Sequence, residues 1–369
     1  MKLPQISNVI KIRLIGLFVA LSLSVTYYYL VAPWALGIPG NSTNLWVFSA
    51  MSKPSYHPEV LGVWRPRVAG LWIAGRMMDG IVKEGYINAE DYQQQKIVLL
   101  RAPTQDNQGA YGQYMEVEDY RRVFALYQAC WMFLFFGMLV FLLKEPVFTI
   151  LGIFAGMLYI FTPLAAHYFY PWDLPSVTAF TLSILLWQRK RYNLMLAVIF
   201  FGYAFKETVA VTALLYFFTE MPIRKRVLYF VAAAVSTTVL KLAIMKGLYG
   251  VWKLGTQDVV LSDGNILFFV NIGRLFAPTW NSVWFVNAGT LLVALLLPAR
   301  NRTDWGIKIV LLAFCGGQMV SGGITEFRIW LEVLPISLIL LRDYLKTLSP
   351  IGPELGNKAT SSAKPQALK

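Results

Sequence analysis

The sequence predicts an all-α fold, a polytopic membrane helix bundle with about ten transmembrane helices and cytoplasmic N and C termini. Of its 369 residues, 57% are hydrophobic and only 14% are charged, whereas about 25% of the residues of an ordinary soluble domain are charged. The apolar residues form continuous blocks rather than periodic stripes, which is typical of membrane spans. Basic residues cluster in the short connectors between the blocks, which is the positive-inside pattern of cytoplasmic loops.

The predicted spans follow one another at 14–33, 123–143, 147–168, 174–188, 192–205, 208–222, 227–246, 280–298, 307–322 and 329–341. If the chain starts in the cytoplasm and crosses at each span, every basic connector falls on the cytoplasmic side. These connectors contain Lys11 and Arg13, Lys144, the triplets 189–191 and 224–226, Arg300 and Arg302, and Arg342 and Lys346. Topology therefore explains the net charge of +13, and nucleic acid is not expected as a partner.

The segment 192–222 is predicted to be a hairpin of two helices rather than one long helix. A single helix over this range would be about 46 Å long, whereas the hydrocarbon core of a bilayer is about 30 Å thick. It would also place the basic triplets at 189–191 and 224–226 on opposite sides of the membrane. A turn at Lys206-Glu207 satisfies both constraints.

The first loop, residues 34–122, is predicted to be extracytoplasmic and to contain interfacial helices. One helix is expected at 67–82, with its apolar side against the membrane surface or against the bundle. Another is expected at 88–100, with Asn88 as its N-cap and acidic residues in its first turn.

The chain is predicted to form a single integral membrane domain over residues 1–348, followed by a tail at 349–369. Pro, Gly, Ser, Ala and Lys dominate the tail, so we expect it to be disordered in the cytoplasm. No Gly-rich loop ends in Lys-Ser/Thr, which excludes a P-loop ATPase. Two histidines, His57 and His167, are too few for a histidine-rich metal centre, and no cofactor is expected.

Several predicted spans end in charged residues before they reach the outer surface. As α-helices, the spans that start or end near these residues are about 20–22 Å long, so they stop roughly 10 Å short of the outer surface. The charged residues at these ends are Asp173, Lys206, Glu207, Glu326 and Arg328. Because lipid does not tolerate charge at that depth, we expect either a water-filled recess or ion pairs inside the bundle.

Each of these residues also has a structural interpretation. Lys206 and Glu207 can form a polar turn, and Asp173 can cap the helix that follows it. Arg328 and Glu332 are four residues apart, which is the spacing of an ion pair on a helix. The carboxylates that could hold Mg²⁺ or Mn²⁺ are Asp173, Glu207 and Glu326. Nothing in the sequence requires a metal.

Two arginines in the first loop, Arg65 and Arg67, are candidate phosphate ligands. The planar guanidinium group binds two oxygens of a phosphate at once. The phosphate of a lipid-linked substrate and that of a membrane lipid headgroup fit these arginines equally well.

The layout resembles that of the C-type membrane glycosyltransferases, with a long first outer loop, surface-lying helices, short outer hairpins and basic cytoplasmic turns. Four local strings also resemble those of uncharacterised bacterial multi-spanning proteins with the same layout. They are Arg65-Pro66-Arg67, Tyr170-Pro171-Trp172-Asp173, Phe205-Lys206-Glu207-Thr208 and Glu326-Phe327-Arg328. In the resembled enzymes the donor is a polyprenyl-phosphate-linked sugar, an outer carboxylate is the general base, and basic residues hold the phosphate.

The resemblance implies that Asp173 or Glu207 is the general base. It assigns substrate and phosphate binding to Lys206, Arg328, Arg65, Arg67 and Glu326. The chain departs from the family in one respect. These enzymes carry an acidic residue soon after the first span, whereas the first acidic residue after Trp34 is Glu59. The choice of base therefore stays open.

The leading hypothesis is an outer-face glycosyltransferase in a bacterial inner membrane that uses a lipid-linked sugar. An alternative is a transporter or flippase for a lipid-linked or anionic solute, and a further one is a non-catalytic subunit of a membrane assembly. An enzyme needs a carboxylate that is open to the recess and that no cation neutralises, and a transporter needs a path that can also open to the cytoplasm. A structural subunit would have its charges paired. Membrane lipids and other anionic lipids are expected partners in each case.

Overall fold

A computed structural model describes residues 8–31, 67–101, 118–161, 170–250, 252, 267–275, 294–321 and 327–348. Every regular element within these ranges is a helix, so the all-α prediction is confirmed for this part of the chain. The predicted tail at 349–369 and most of the predicted span at 280–298 lie outside the described residues.

The described residues form eleven α-helices, one π-helix and two 3₁₀ helices. The α-helices are α1 (Asn8–Thr26), α2 (Val68–Lys83), α3 (Ala89–Arg101), α4 (Glu118–Leu143), α5 (Pro146–Phe161), α6 (Asp173–Gln188), α7 (Tyr192–Tyr203), α8 (Ile223–Tyr249), α9 (Leu267–Leu275), α10 (Arg302–Ser321) and α11 (Val333–Leu348). The other helices are a π-helix at Tyr27–Val31, a long 3₁₀ helix at Glu207–Phe218 and a short 3₁₀ helix at Phe327–Glu332.

Three of the described helices are long and apolar enough to cross a membrane: Ile10–Leu30, Glu118–Leu143 and Ile223–Tyr249. Shorter apolar helices occur at Pro146–Met157 and in the two arms of the 192–222 hairpin. These features are those of a membrane protein. Ten spans and the cytoplasmic position of the termini stay predictions.

Helix α4 lies at the centre of the described bundle and packs against α1, α2, α5 and α6. Large side chains along it, such as Phe135 and Phe136, are fully buried. The hydroxyl of Tyr27 on the π-helix donates a hydrogen bond of 2.6 Å to Gln128 Oε1 of α4. Helix α8 lies at the periphery of the bundle. Only 17% of the residues in its apolar stretch are buried, whereas 61% are buried in that of α4.

The predicted hairpin at Lys206-Glu207 is confirmed. Helix α7 ends at Tyr203, the long 3₁₀ helix begins at Glu207, and the two pack against each other. They run antiparallel, because Gly202 at the end of α7 faces Val209, whereas Tyr216 donates to the Tyr192 carbonyl at 3.0 Å.

The second arm of the hairpin is a 3₁₀ helix, although an α-helix was expected. Its buried residues Val209, Thr212 and Leu215 recur every third position, which matches the three-residue turn of a 3₁₀ helix. At about 2.0 Å per residue this arm is about 24 Å long, a few ångströms more than the same residues would span as an α-helix. It still falls short of a bilayer core.

The helical segment that contains the predicted last span, 329–341, is longer than that span. Helix α11 continues to Leu348 and is preceded by the short 3₁₀ helix, so together they are about 36 Å long. The predicted span ends before Arg342, which was assigned to a basic connector. The Arg342 guanidinium has partners in the structure. Its Nη1 donates to the Leu142 carbonyl at 2.9 Å, and its Nε pairs with Asp343 at 2.7 Å.

The described basic connectors meet at one end of the bundle, which we call the basic end. The start of α10 reaches the end of α11, where the Arg300 guanidinium lies 4.5 Å from the centre of the Tyr344 ring. Lys346 of α11 pairs with Glu145 at the start of α5. Helix α6 runs parallel to α4, because Tyr127 donates to the Pro171 carbonyl just before α6 and, further along both helices, Thr178 donates to the Trp131 carbonyl. The connector after α6 therefore also lies at this end.

The two helices predicted in the first loop are confirmed at Val68–Lys83 and Ala89–Arg101. Asn88 is the N-cap, with its Oδ1 accepting a hydrogen bond of 2.8 Å from the Glu90 amide. Helix α2 packs on the bundle through Gly70, Leu71, Ala74 and Met78. A Cβ at Gly70 would clash with the Pro171 carbonyl, so the absence of a side chain permits this close contact.

Candidate functional site

Charged residues from four separate segments meet at the end of the bundle opposite the basic end. We call them the polar cluster: Arg67, Asp173, Lys206, Glu207 and Glu332. Arg67 is the N-cap of α2, and Asp173 is the first residue of α6. Lys206 and Glu207 form the hairpin turn, and Glu332 ends the short 3₁₀ helix.

The inner half of the polar cluster is a buried ionic triad. Lys206 Nζ lies 2.9 Å from Glu332 Oε1 and 3.6 Å from Asp173 Oδ1, and the three side chains are 3%, 1% and 2% exposed. Ser176 and Thr208 donate to the same Glu332 oxygen at 2.9 and 3.0 Å. Both carboxylates are thus held by one ammonium group inside the bundle, which corresponds to the ion-pair alternative for Asp173 and Lys206.

The backbone explains why two neighbouring residues of the turn have different surroundings. Lys206 is in an extended conformation, with φ −161° and ψ 136°, and successive side chains of an extended chain point in opposite directions. The Lys206 side chain enters the bundle, whereas Glu207 faces α2. Asp173 is fixed by its own turn, where its Oδ2 accepts a hydrogen bond of 2.9 Å from the Tyr170 amide.

The outer half of the polar cluster is the pair Arg67–Glu207. Arg67 Nε donates to Glu207 Oε2 at 2.9 Å, and Arg67 Nη2 donates to Glu207 Oε1. The pair is therefore bidentate. The Arg67 side chain is 13% exposed and that of Glu207 is 43% exposed, so Glu207 is the carboxylate of the cluster that solvent reaches.

Two further cations act on Glu207. The charges of Lys206 and of Lys241 on α8 both lie within electrostatic range of it. Lys241 is buried, although its position near the outer end of the predicted 227–246 span is typical of a lysine that extends to the membrane surface. Sequence reasoning did not relate Lys241 to the hairpin turn, because the electrostatic interaction joins distant parts of the chain.

Aromatic residues and α2 cover the polar cluster. The Arg67 guanidinium lies 5.7 Å from the centre of the Trp172 ring, which stacks on Tyr170 at 4.9 Å. The Ala69 amide donates to the Ala204 carbonyl at 3.2 Å, which joins the start of α2 to the hairpin turn. The position of α2 over the polar cluster thus depends on these two contacts, of Arg67 with Trp172 and of Ala69 with Ala204.

The structure brings four of the seven predicted site residues together: Asp173, Glu207, Lys206 and Arg67. Arg65 and Glu326 lie outside the described residues. The backbone of Arg328 belongs to the short 3₁₀ helix, four residues before Glu332. Within the described ranges, no group of three histidine, cysteine or acidic residues is placed to hold a metal ion.

No known protein family, curated protein sequence or solved structure shows a significant match to this chain. The geometry of the polar cluster is therefore the basis for a functional assignment.

Proposed function

We propose that this chain is an outer-face membrane glycosyltransferase, or a close relative, that uses a polyprenyl-phosphate-linked sugar in a bacterial inner membrane. The supporting observation is a half-exposed carboxylate, Glu207, which pairs with Arg67 and is acted on by the charges of Lys206 and Lys241. Sugar transfer from a lipid phosphate needs a general base for the acceptor hydroxyl and cations for the leaving phosphate. The proposal places the polar cluster on the outer face and the basic end in the cytoplasm.

In this proposal Glu207 is the general base and Arg67 binds the donor phosphate. Glu207 takes the proton of the acceptor hydroxyl while the acceptor oxygen attacks the anomeric carbon of the sugar. The bond from that carbon to the phosphate oxygen breaks, and the polyprenyl phosphate leaves with the bonding electrons. Asp173 is a positioning residue instead of the base, because it is buried against Lys206. Arg65, Arg328 and Glu326 stay candidates for substrate binding.

The proposed function is tested by sugar transfer with the purified protein in lipid nanodiscs. Radiolabelled polyprenyl-phosphate sugars are the donors, a cell-envelope extract supplies acceptors, and release of polyprenyl phosphate is measured. We expect Glu207→Gln to lower the rate about 10²–10⁴-fold, the usual contribution of a general base. Glu220→Gln is the matched control, since Glu220 is an exposed carboxylate at the basic end. Full activity of Glu207→Gln would contradict the assignment.

A second candidate is a non-catalytic subunit of a membrane assembly. The observation that favours it is the ionic triad, in which Asp173, Lys206 and Glu332 are buried and paired. Such a triad can fix the packing of α6, the hairpin and the short 3₁₀ helix without any chemistry. If the folded protein releases no polyprenyl phosphate from any of the donors, this candidate is favoured. The described residues give no comparable support to a transporter.

A further inference from the structure

Glu207 occupies the position on Arg67 that a phosphate group would take. Arg67 uses Nε and Nη2, and each contacts a different carboxylate oxygen of Glu207. The same two N–H groups of a guanidinium form parallel hydrogen bonds with two oxygens of a phosphate. A carboxylate and a phosphate are therefore alternative ligands for this side of Arg67.

A ligand reaches Arg67 from the side of Glu207. Arg67 is only 13% exposed, whereas Glu207 is 43% exposed. One face of the guanidinium lies over the Trp172 ring at 5.7 Å, and the chain after Arg67 is joined to the hairpin turn by the bond from Ala69 to Ala204. An anion that binds the Nε–Nη2 edge of Arg67 must therefore displace the Glu207 carboxylate.

The charges around Arg67 favour this exchange. When Glu207 turns away, Arg67 loses its carboxylate partner. Three cations of the site, Arg67, Lys206 and Lys241, then face two buried carboxylates, Asp173 and Glu332, which Lys206 already holds. Cations gathered in a partly buried site raise the local concentration of anions and stabilise a bound one. Glu207 is the first residue of the long 3₁₀ helix and is half exposed, so rotation of its side chain leaves the buried triad in place.

We propose that the phosphate of an anionic polyprenyl lipid displaces Glu207 from Arg67. The consequence for catalysis rests on the proposed function. Glu207 is freed as a base only when the donor phosphate is bound, so an acceptor hydroxyl is not activated before the donor arrives. The exchange itself is a binding event and does not depend on sugar transfer.

A double-mutant cycle of lipid binding tests the exchange. Binding of radiolabelled polyprenyl phosphate is measured in detergent for the wild type, Glu207→Gln, Arg67→Ala and the double variant. Because Glu207→Gln removes the competing charge, we expect about tenfold tighter binding, which corresponds to about 1.4 kcal/mol. Arg67→Ala should weaken binding by about the same factor, and Glu207→Gln should have no effect in the Arg67→Ala background.

Further ligands separate the role of the phosphate from that of the lipid. The uncharged polyprenol should bind the wild type and Glu207→Gln equally, since it has no phosphate. Competition by inorganic phosphate would show that the site binds phosphate alone, and competition only by phosphorylated polyprenyl lipid would show that it needs the chain. Either result upholds the exchange. Unchanged or weaker lipid binding by Glu207→Gln would overturn it, as would an equal gain in the Arg67→Ala background.

Two controls keep this test separate from folding and from the proposed function. Arg67→Lys retains the charge but not the two-pronged donor, so we expect it to bind polyprenyl phosphate more weakly than the wild type does while remaining monodisperse. If the cycle behaves as expected and no variant transfers sugar, the exchange stands and the glycosyltransferase proposal fails. If sugar is transferred and Glu207→Gln does not tighten binding, the exchange alone fails.

Discussion

One ion pair at the basic end and one in the polar cluster differ strongly in burial. At the basic end, Lys190 pairs with Glu220 at 2.5 Å, and the two side chains are 63% and 79% exposed. In the polar cluster, Lys206 pairs with Glu332 at 2.9 Å, and the side chains are 3% and 1% exposed. Water and salt screen the first pair, whereas removal of one partner of the second leaves a buried charge without compensation. The Lys190–Glu220 pair therefore contributes little to stability, whereas the charges of the buried triad support the fold.

The largest effect is expected for Lys206→Met. This change leaves Asp173 and Glu332 buried without their ammonium partner, and the loss of one member of a buried pair costs about 3–5 kcal/mol. We expect a large fall in the apparent free energy of unfolding in mixed micelles. Lys190→Met is the matched control at the basic end and should leave the apparent free energy of unfolding almost unchanged. Equal effects of the two changes would remove the distinction between the ends.

Neutralising the carboxylates should recover part of that loss. In the Lys206→Met background, Asp173→Asn and Glu332→Gln remove the buried negative charges while they keep the shape of the side chains. We expect the triple variant to be more stable than Lys206→Met alone, because a buried charge is costlier than a buried amide. Unfolding in the same micelles measures the difference. No recovery would show that the packing of Lys206, rather than its charge, stabilises the triad.

A smaller effect is expected where α2 covers the polar cluster. Gly70→Ala adds a Cβ that clashes with the Pro171 carbonyl, and such overpacking costs about 1–3 kcal/mol. Gly80→Ala is the matched control on the same helix, since no atom lies within 4 Å of its Cβ position. Hydrogen exchange of the Ala69 amide should become faster in Gly70→Ala only. Equal protection in both variants would show that α2 does not rely on this contact.

The smallest effect concerns the pH dependence of the exposed pair at the basic end. The hydrogen bond and charge of Lys190 hold the pKa of Glu220 below its ordinary value. The folded state therefore gains stability above the ordinary pKa, and this gain disappears as the pH falls through the lowered one. The difference in thermal midpoint between wild type and Lys190→Ala should be small at neutral pH and absent in acid. A difference that grows in acid would contradict the pairing.

The sequence predicted most of the helices but only part of the polar cluster. Apolar blocks and the Asn88 cap are local signals, and the limit on helix length was enough to predict the turn at Lys206-Glu207. Neither the 3₁₀ form of the second arm nor the continuation of α11 past Arg342 follows from hydropathy. Both depend on tertiary contacts, such as the bond from Arg342 to the Leu142 carbonyl.

The partners within the cluster were also hidden from sequence reasoning. The spacing of Arg328 and Glu332 is that of an ion pair on a helix, whereas the partner that the structure shows for Glu332 is Lys206, which is 126 residues away. The pair Arg67–Glu207 joins the first loop to the hairpin over 140 residues. Short apolar segments that end in charge indicated where charges would gather, but not which of them would pair.

Cysteine accessibility tests most directly whether the polar cluster is an outer site with one open carboxylate. The variants Glu207→Cys, Ser176→Cys and Lys190→Cys are made in a Cys130→Ala, Cys315→Ala background, which removes both native cysteines. Intact cells are treated with a membrane-impermeant thiol reagent before and after permeabilisation. We predict labelling of Glu207→Cys in intact cells, of Lys190→Cys only after permeabilisation, and of Ser176→Cys in neither case. Labelling of Lys190→Cys but not Glu207→Cys in intact cells would contradict the account.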